Sequence, residues 1–165
     1  MIRNRAYLIA VAILSSMVPA HAQSETAMAQ IDAIVQSIKA GSVGSVEVFG
    51  VPPDTLFRTN VPPERLESLW DYKLTVRGLD GRLEPRAKEL TVALKSAATR
   101  PSLTKLDSLD VRWGIIFYAK TPEGKRIASL YFDRNGRSGA VNNTPVSFAP
   151  DLLPRLKKAL HASID

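Results

Sequence analysis

The stretch VRWGIIFYAKTPEGKRIASLYFDRNGR, residues 111–137, decides the fold. Val111, Trp113, Ile115 and Phe117 alternate with Arg112, Gly114, Ile116, Tyr118 and Lys120, the period-two pattern of a strand. Thr121-Pro122-Glu123-Gly124-Lys125 supplies the proline and glycine of a short loop. On the return, Ala128, Leu130 and Phe132 oppose Ile127, Ser129 and Tyr131. Asp133-Arg134-Asn135-Gly136 then carries an Asn-Gly turn signal, and residues 138–148, SGAVNNTPVSF, read as a further hairpin with Asn142-Asn143 at its tip. Strands that follow one another without intervening helices exclude a doubly wound parallel sheet.

Working outward, Ile31, Ile34, Val35 and Ile38 have helical spacing and Gly41 stands where a C-terminal cap belongs, which predicts a helix over 26–40. GSVEVFGV, 44–51, is a short β-branched strand broken by Pro52-Pro53. The prolines of TNVPPERLESLW, 59–70, suit the first turn of a short helix, with Asn60 as its N-cap and Leu66 with Leu69 or Trp70 on its buried side. DYKLTVRG, 71–78, alternates Tyr72, Leu74 and Val76 with Lys73, Thr75 and Arg77, a strand with one buried and one wet face. Leu83, Ala87, Leu90, Leu94 and Ala97 form the stripe of a clear amphipathic helix. Asp151 and Pro154 open a final helix that buries Leu153, Leu156 and Leu160. The expectation is α+β: a single antiparallel sheet of about five strands with three to four helices packed on one face.

The first residues have a different logic. Arg3 and Arg5 precede an apolar run from Ala6 to Pro19 that ends in Ala20-His21-Ala22, the three parts of a cleavable secretory signal. As a helix those 14 residues reach only about 21 Å, short of the roughly 30 Å hydrocarbon core of a bilayer. Cleavage is expected after Ala22, leaving 23–165 as one exported domain in the periplasm or the medium. The chain has no cysteine, so neither disulfides nor thiolate chemistry is available and stability must come from a hydrophobic core. Of the formal charge of +6, Arg3 and Arg5 carry two, leaving a moderately basic, well-mixed +4. Export argues against nucleic acid as the partner of that charge.

Motifs for chemistry are sparse. His161, near the end of the last helix, is the one histidine after the signal, too few for a transition-metal site. Asp107 and Asp110 are too thinly spaced for an all-oxygen cation site, and the glycines form no phosphate loop. No metal, cofactor or catalytic residue is assigned. A carboxylate-dependent hydrolase is retained only as a minor alternative, since it needs no more than two facing carboxyl groups. The remaining candidate is the wet sheet face, where Lys73, Arg77, Arg112, Tyr118 and Lys120 combine the charged and aromatic types that anchor interfaces. Were both faces of the 111–120 strand covered, Arg112 would instead need a carboxylate such as Asp110 or Asp133 and would be structural. The leading expectation is a small exported binding protein, not an enzyme, whose partner is another envelope or secreted protein: an inhibitor, an immunity protein or an accessory subunit. The alternative is a module binding an anionic glycan, lipid or other small envelope ligand between sheet and helices.

Overall fold

The computed structural model describes residues 20–52, 54–70, 72–77 and 84–162. The apolar run of the expected signal and Leu83 lie outside them. Helices α1 (Ala20–Lys39), α2 (Pro63–Leu69), α3 (Glu84–Lys95) and α4 (Leu152–Leu160) accompany strands β1 (Val43–Gly50), β2 (Tyr72–Arg77), β3 (Thr99–Pro101), β4 (Val111–Ala119), β5 (Arg126–Asp133), β6 (Ser138–Val141) and β7 (Thr144–Phe148). The strands form one antiparallel sheet in the order β2-β1-β4-β5-β6-β7-β3. This is the expected α+β class, with seven strands instead of about five. The hairpin expected at 138–148 forms β6 and β7 around Asn142, whose φ of 50° makes the tight turn. The unanticipated strand, β3, is a three-residue edge strand ending at Pro101, and an edge is where a sheet tolerates a residue without an amide proton.

One face of the sheet carries the main core. Val46, Val48, Val76, Trp113, Ile115, Phe117, Leu130, Phe132, Val146 and Phe148 pack against Ile31, Ile34 and Val35 of α1, Leu90 and Leu94 of α3, and Leu156 and Leu160 of α4. Each such buried side chain contributes about 1.5–3 kcal/mol relative to leaving it in water. These side chains occupy the space between sheet and helices. Trp113, Ile115 and Phe117 therefore mark the core face of β4.

The expectation of all helices on one face fails at α2. Leu66 packs on the opposite side of the sheet, in a second cluster with Val51, Val61, Leu109, Val111, Tyr131 and Ala140. Gly114 makes room for it: a Cβ there would stand 3.2 Å from Leu66 Cδ2 and 3.3 Å from the Tyr131 ring. Val111 belongs to this cluster and not with Trp113 because the β4–β5 register slips between the two, a β-bulge that strict alternation does not anticipate.

Three capping details also differ from expectation. The first helix begins at Ala20, six residues earlier than its apolar spacing implies. Pro62, not Asn60, precedes α2, and the Asn60 amide donates instead to the Ser108 carbonyl at 2.8 Å. Asp151 makes no cap bond, its carboxylate lying 2.7 Å from Arg155 one turn on. Gly41 does close α1, with φ of 65° and with Gly41 and Ser42 donating back to the Ile38 and Ser37 carbonyls.

Candidate recognition face

The sheet face opposite the main core is only partly covered by α2, and the strand registers place its side chains in rows. One row runs Lys73, Phe49, Gly114, Tyr131 across β2, β1, β4 and β5, and the next runs Thr75, Glu47, Ile116, Ser129. The outermost row is Arg77, Ser45, Tyr118, Arg126. Helix α2 lies over the first row, and Thr75 and Arg77 beyond it are exposed.

The outermost row owes its composition to two bulges. In β1 the register shifts between Val43 and Ser45, where Gly44 passes so close to β4 that an added Cβ would meet Lys120 Cα at 2.9 Å. In β5, Phe117 pairs with Ala128 but Tyr118 pairs with Arg126, so Ile127 is the extra residue. Ile127 packs toward the main core, and Arg126 is carried across to stand opposite Tyr118. Bulges re-aim side chains in this way, and they concentrate beside functional sites.

Side-chain chemistry then fixes Tyr118 and Arg126 in place. Arg126 donates from Nη2 to both oxygens of Glu67 on α2, at 3.0 and 2.8 Å, a charge-assisted contact. Tyr131 donates to the same carboxylate at 2.6 Å. Tyr118 donates to Glu47 at 3.1 Å, and Lys73 lies 3.1 Å from the other oxygen of Glu47. Lys73 also stands 5.2 Å from the centre of the Phe49 ring and 5.8 Å from that of Trp70. Trp70, expected on the buried side of α2, is 40 % exposed at the rim of the patch and meets Phe49 edge-on.

Burial pushes the Tyr131 hydroxyl up to about 12, with the Glu67 carboxylate adding to the rise. Burial also lifts Tyr118; the Arg126 guanidinium beside it pulls the other way, and Glu47 adds to the rise. Burial opposes the charge of Arg126, but its bonds to Glu67 outweigh that and hold its proton more firmly than usual. Both tyrosines are thus neutral hydrogen-bond donors at neutral pH, and both carboxylates are engaged by cations.

Of the five residues singled out from the sequence, Lys73, Arg77 and Tyr118 meet on this face. Lys120 follows β4 immediately, exposed, with its main-chain N–H bonded to the Ser42 carbonyl at 2.7 Å. Arg112 is not on the wet face. It is 8 % exposed, donates to Asp110 at 2.9 Å and to the Thr55 carbonyl at 2.7 Å, and lies 4.9 Å from the centre of the Phe57 ring. Asp110 also accepts from the Val61 amide, so this pair ties segment 51–61 to β4. Arg126, Glu47, Glu67 and Trp70 join the site unanticipated. By parity Arg126 belongs with the core residues Ala128 and Leu130, and a charge at that position is the one trace of the bulge in the sequence.

Among the described residues no three His, Asp or Glu side chains gather where they could hold a metal ion, and no helix is long and apolar enough to cross a membrane. His161 is exposed at the C-cap of α4 with φ of 53°. Fold and site together define an α+β protein with one antiparallel sheet and a charged, aromatic patch on its less covered face. In comparison with known proteins, no family model, no curated protein and no solved structure matches the chain.

Proposed function

We propose that this chain is an exported binding protein without chemistry of its own, acting on another protein of the bacterial envelope as an inhibitor, an immunity protein or an accessory subunit. The observation that carries the reading is the row Arg77, Ser45, Tyr118, Arg126, assembled by two bulges, with Tyr118 held by Glu47 and Arg126 by Glu67. Arginine, tyrosine and tryptophan dominate interface energetics because each joins a large contact area to directional polar groups. The fixation of Tyr118 and Arg126 before contact reduces the ordering entropy that binding must otherwise supply. A partner that answers this face presents a carboxylate toward Arg77 and an apolar or aromatic group toward Trp70, and such charge complementarity acts first on association rate and specificity.

The test is residue-specific photo-crosslinking in the producing cell. A crosslinker at exposed Thr75 is expected to trap one discrete protein, whereas one at exposed Lys88 on α3 traps none. Adducts from position 88 alone, or from neither position, would count against this face.

A further inference from the structure

At the far end of the same sheet face, Arg100, Ser147 and Ser138 are cross-strand neighbours on β3, β7 and β6. Residues 99 and 148, next to them, face the helix layer: Phe148 is in the main core and Thr99 meets Ser24 of α1. By alternation Arg100, Ser147 and Ser138 project from the opposite side. There they line a hollow of about 420 Å³ together with Arg137, Ala98, Phe148, Ala149 and Pro150.

The hollow is short of acceptors. Among the described residues no carboxylate lines it, and Asp133, the nearest in sequence to Arg137, accepts from the Arg137 main-chain N–H at 2.8 Å. Among the described residues neither guanidinium has an ion pair, and neither serine hydroxyl has a hydrogen-bond partner. Two arginines that line hollows elsewhere differ in this respect: Arg112 is paired with Asp110 and Arg155 with Asp151. Two planar guanidiniums with five N–H donors each, plus two hydroxyls, exceed what the two oxygens of a carboxylate can accept. They suit the three or more oxygens of a phosphate, which guanidinium forks grip bidentately. The volume exceeds one phosphate ion, and Phe148, Ala149 and Pro150 give its remainder an apolar wall.

We infer that this hollow is a binding site for a phosphate group carried on a small organic body, held by Arg100 and Arg137 with Ser138 and Ser147 as additional donors. The site is separate from the Arg77–Arg126 row and does not depend on the reading given to that row. The phosphate can be that of a soluble phosphomonoester or of a lipid headgroup.

The test is titration of the purified protein at constant ionic strength with inorganic phosphate, with glycerol phosphate, and with vesicles of phosphatidylglycerol against phosphatidylcholine. Saturable one-to-one binding of glycerol phosphate is expected, weakened at least tenfold in Arg100→Gln/Arg137→Gln. The same loss of charge at exposed Lys39 and Arg58 should leave binding unchanged. Ser147→Ala, a milder change, should weaken binding severalfold with unfolding temperature unchanged. Uptake of soluble phosphate alone assigns a soluble ligand; added affinity for the anionic vesicles, lost in the double variant, assigns a headgroup. The inference is overturned if no phosphate-bearing probe saturates, if the double variant binds like the parent, or if the Lys39/Arg58 control loses as much.

Discussion

At the scale of single residues, two arginines one strand apart have opposite duties. Arg112 is enclosed and bonded to Asp110 and the Thr55 carbonyl, whereas Arg77 is exposed at the end of β2. Arg112→Ala should cost about 1–3 kcal/mol in chemical denaturation, because it strands two acceptors, the lower end applying because Asp110 remains partly in water. Arg77→Ala should change stability by less than about 0.5 kcal/mol. Tyr131 gives a pH signature. It holds its proton more tightly folded than unfolded, so its contribution is complete below the ordinary tyrosine value of 10 and is lost as pH rises toward 12. Tyr131→Phe should therefore flatten the fall of stability over that window, measured by denaturant unfolding at stepped pH. The sequence made Lys73, Arg77 and Tyr118 legible as a wet face through strict alternation. For Arg112 it left two readings, wet face or structural partner of Asp110, and the second holds; alternation assigns a side but cannot report that a bulge and a returning loop enclose it.

At the scale of elements, bulges and close approaches set what the patch presents. Hairpins and amphipathic helices were legible because their signals are local: the stripe of α3, the Asn-Gly turn before β6, Gly41 after α1. Long-range fits were not. Nothing local places α2 on the face away from α1, α3 and α4, since Leu66 would be buried on either side; Gly114 across the sheet settles it. A second glycine shows how exacting such fits are. A Cβ on Gly139 of β6 would collide with the Tyr131 main-chain carbonyl, and backbone cannot step aside as a side-chain tip can. Gly139→Ala should destabilise the protein by about 2 kcal/mol or more and speed amide exchange in β5 and β6. Ala at Gly124, where nothing lies within 4 Å of an added Cβ, should cost only the strain of its positive φ of 57°.

At the scale of the whole molecule, the chain builds one sheet with a thick helical layer on one side and a thin, incomplete cover on the other. The thick side supplies stability; the thin side supplies surface that can be charged. The α+β class was legible because four strands in succession leave no room for crossover helices, while the strand count fell short because a three-residue edge strand is too short to leave a periodic signal. If the protein is exported as proposed, cleavage after Ala22 removes the first turn of α1 and with it the Ala22 carbonyl that accepts from Thr26 at 2.8 Å. Mass spectrometry of the secreted chain should then find Gln23 at its start, and an intact Met1 would contradict export by this route.

The central claim, that the Arg77–Arg126 face recognises a protein, is tested most directly by affinity capture from envelope and secreted fractions with the parent and with Arg77→Glu/Tyr118→Ala, the two matched for thermal unfolding. The account predicts a stoichiometric partner bound by the parent and released at least tenfold faster by the variant. A partner held equally by both, or no partner for the parent, would contradict it.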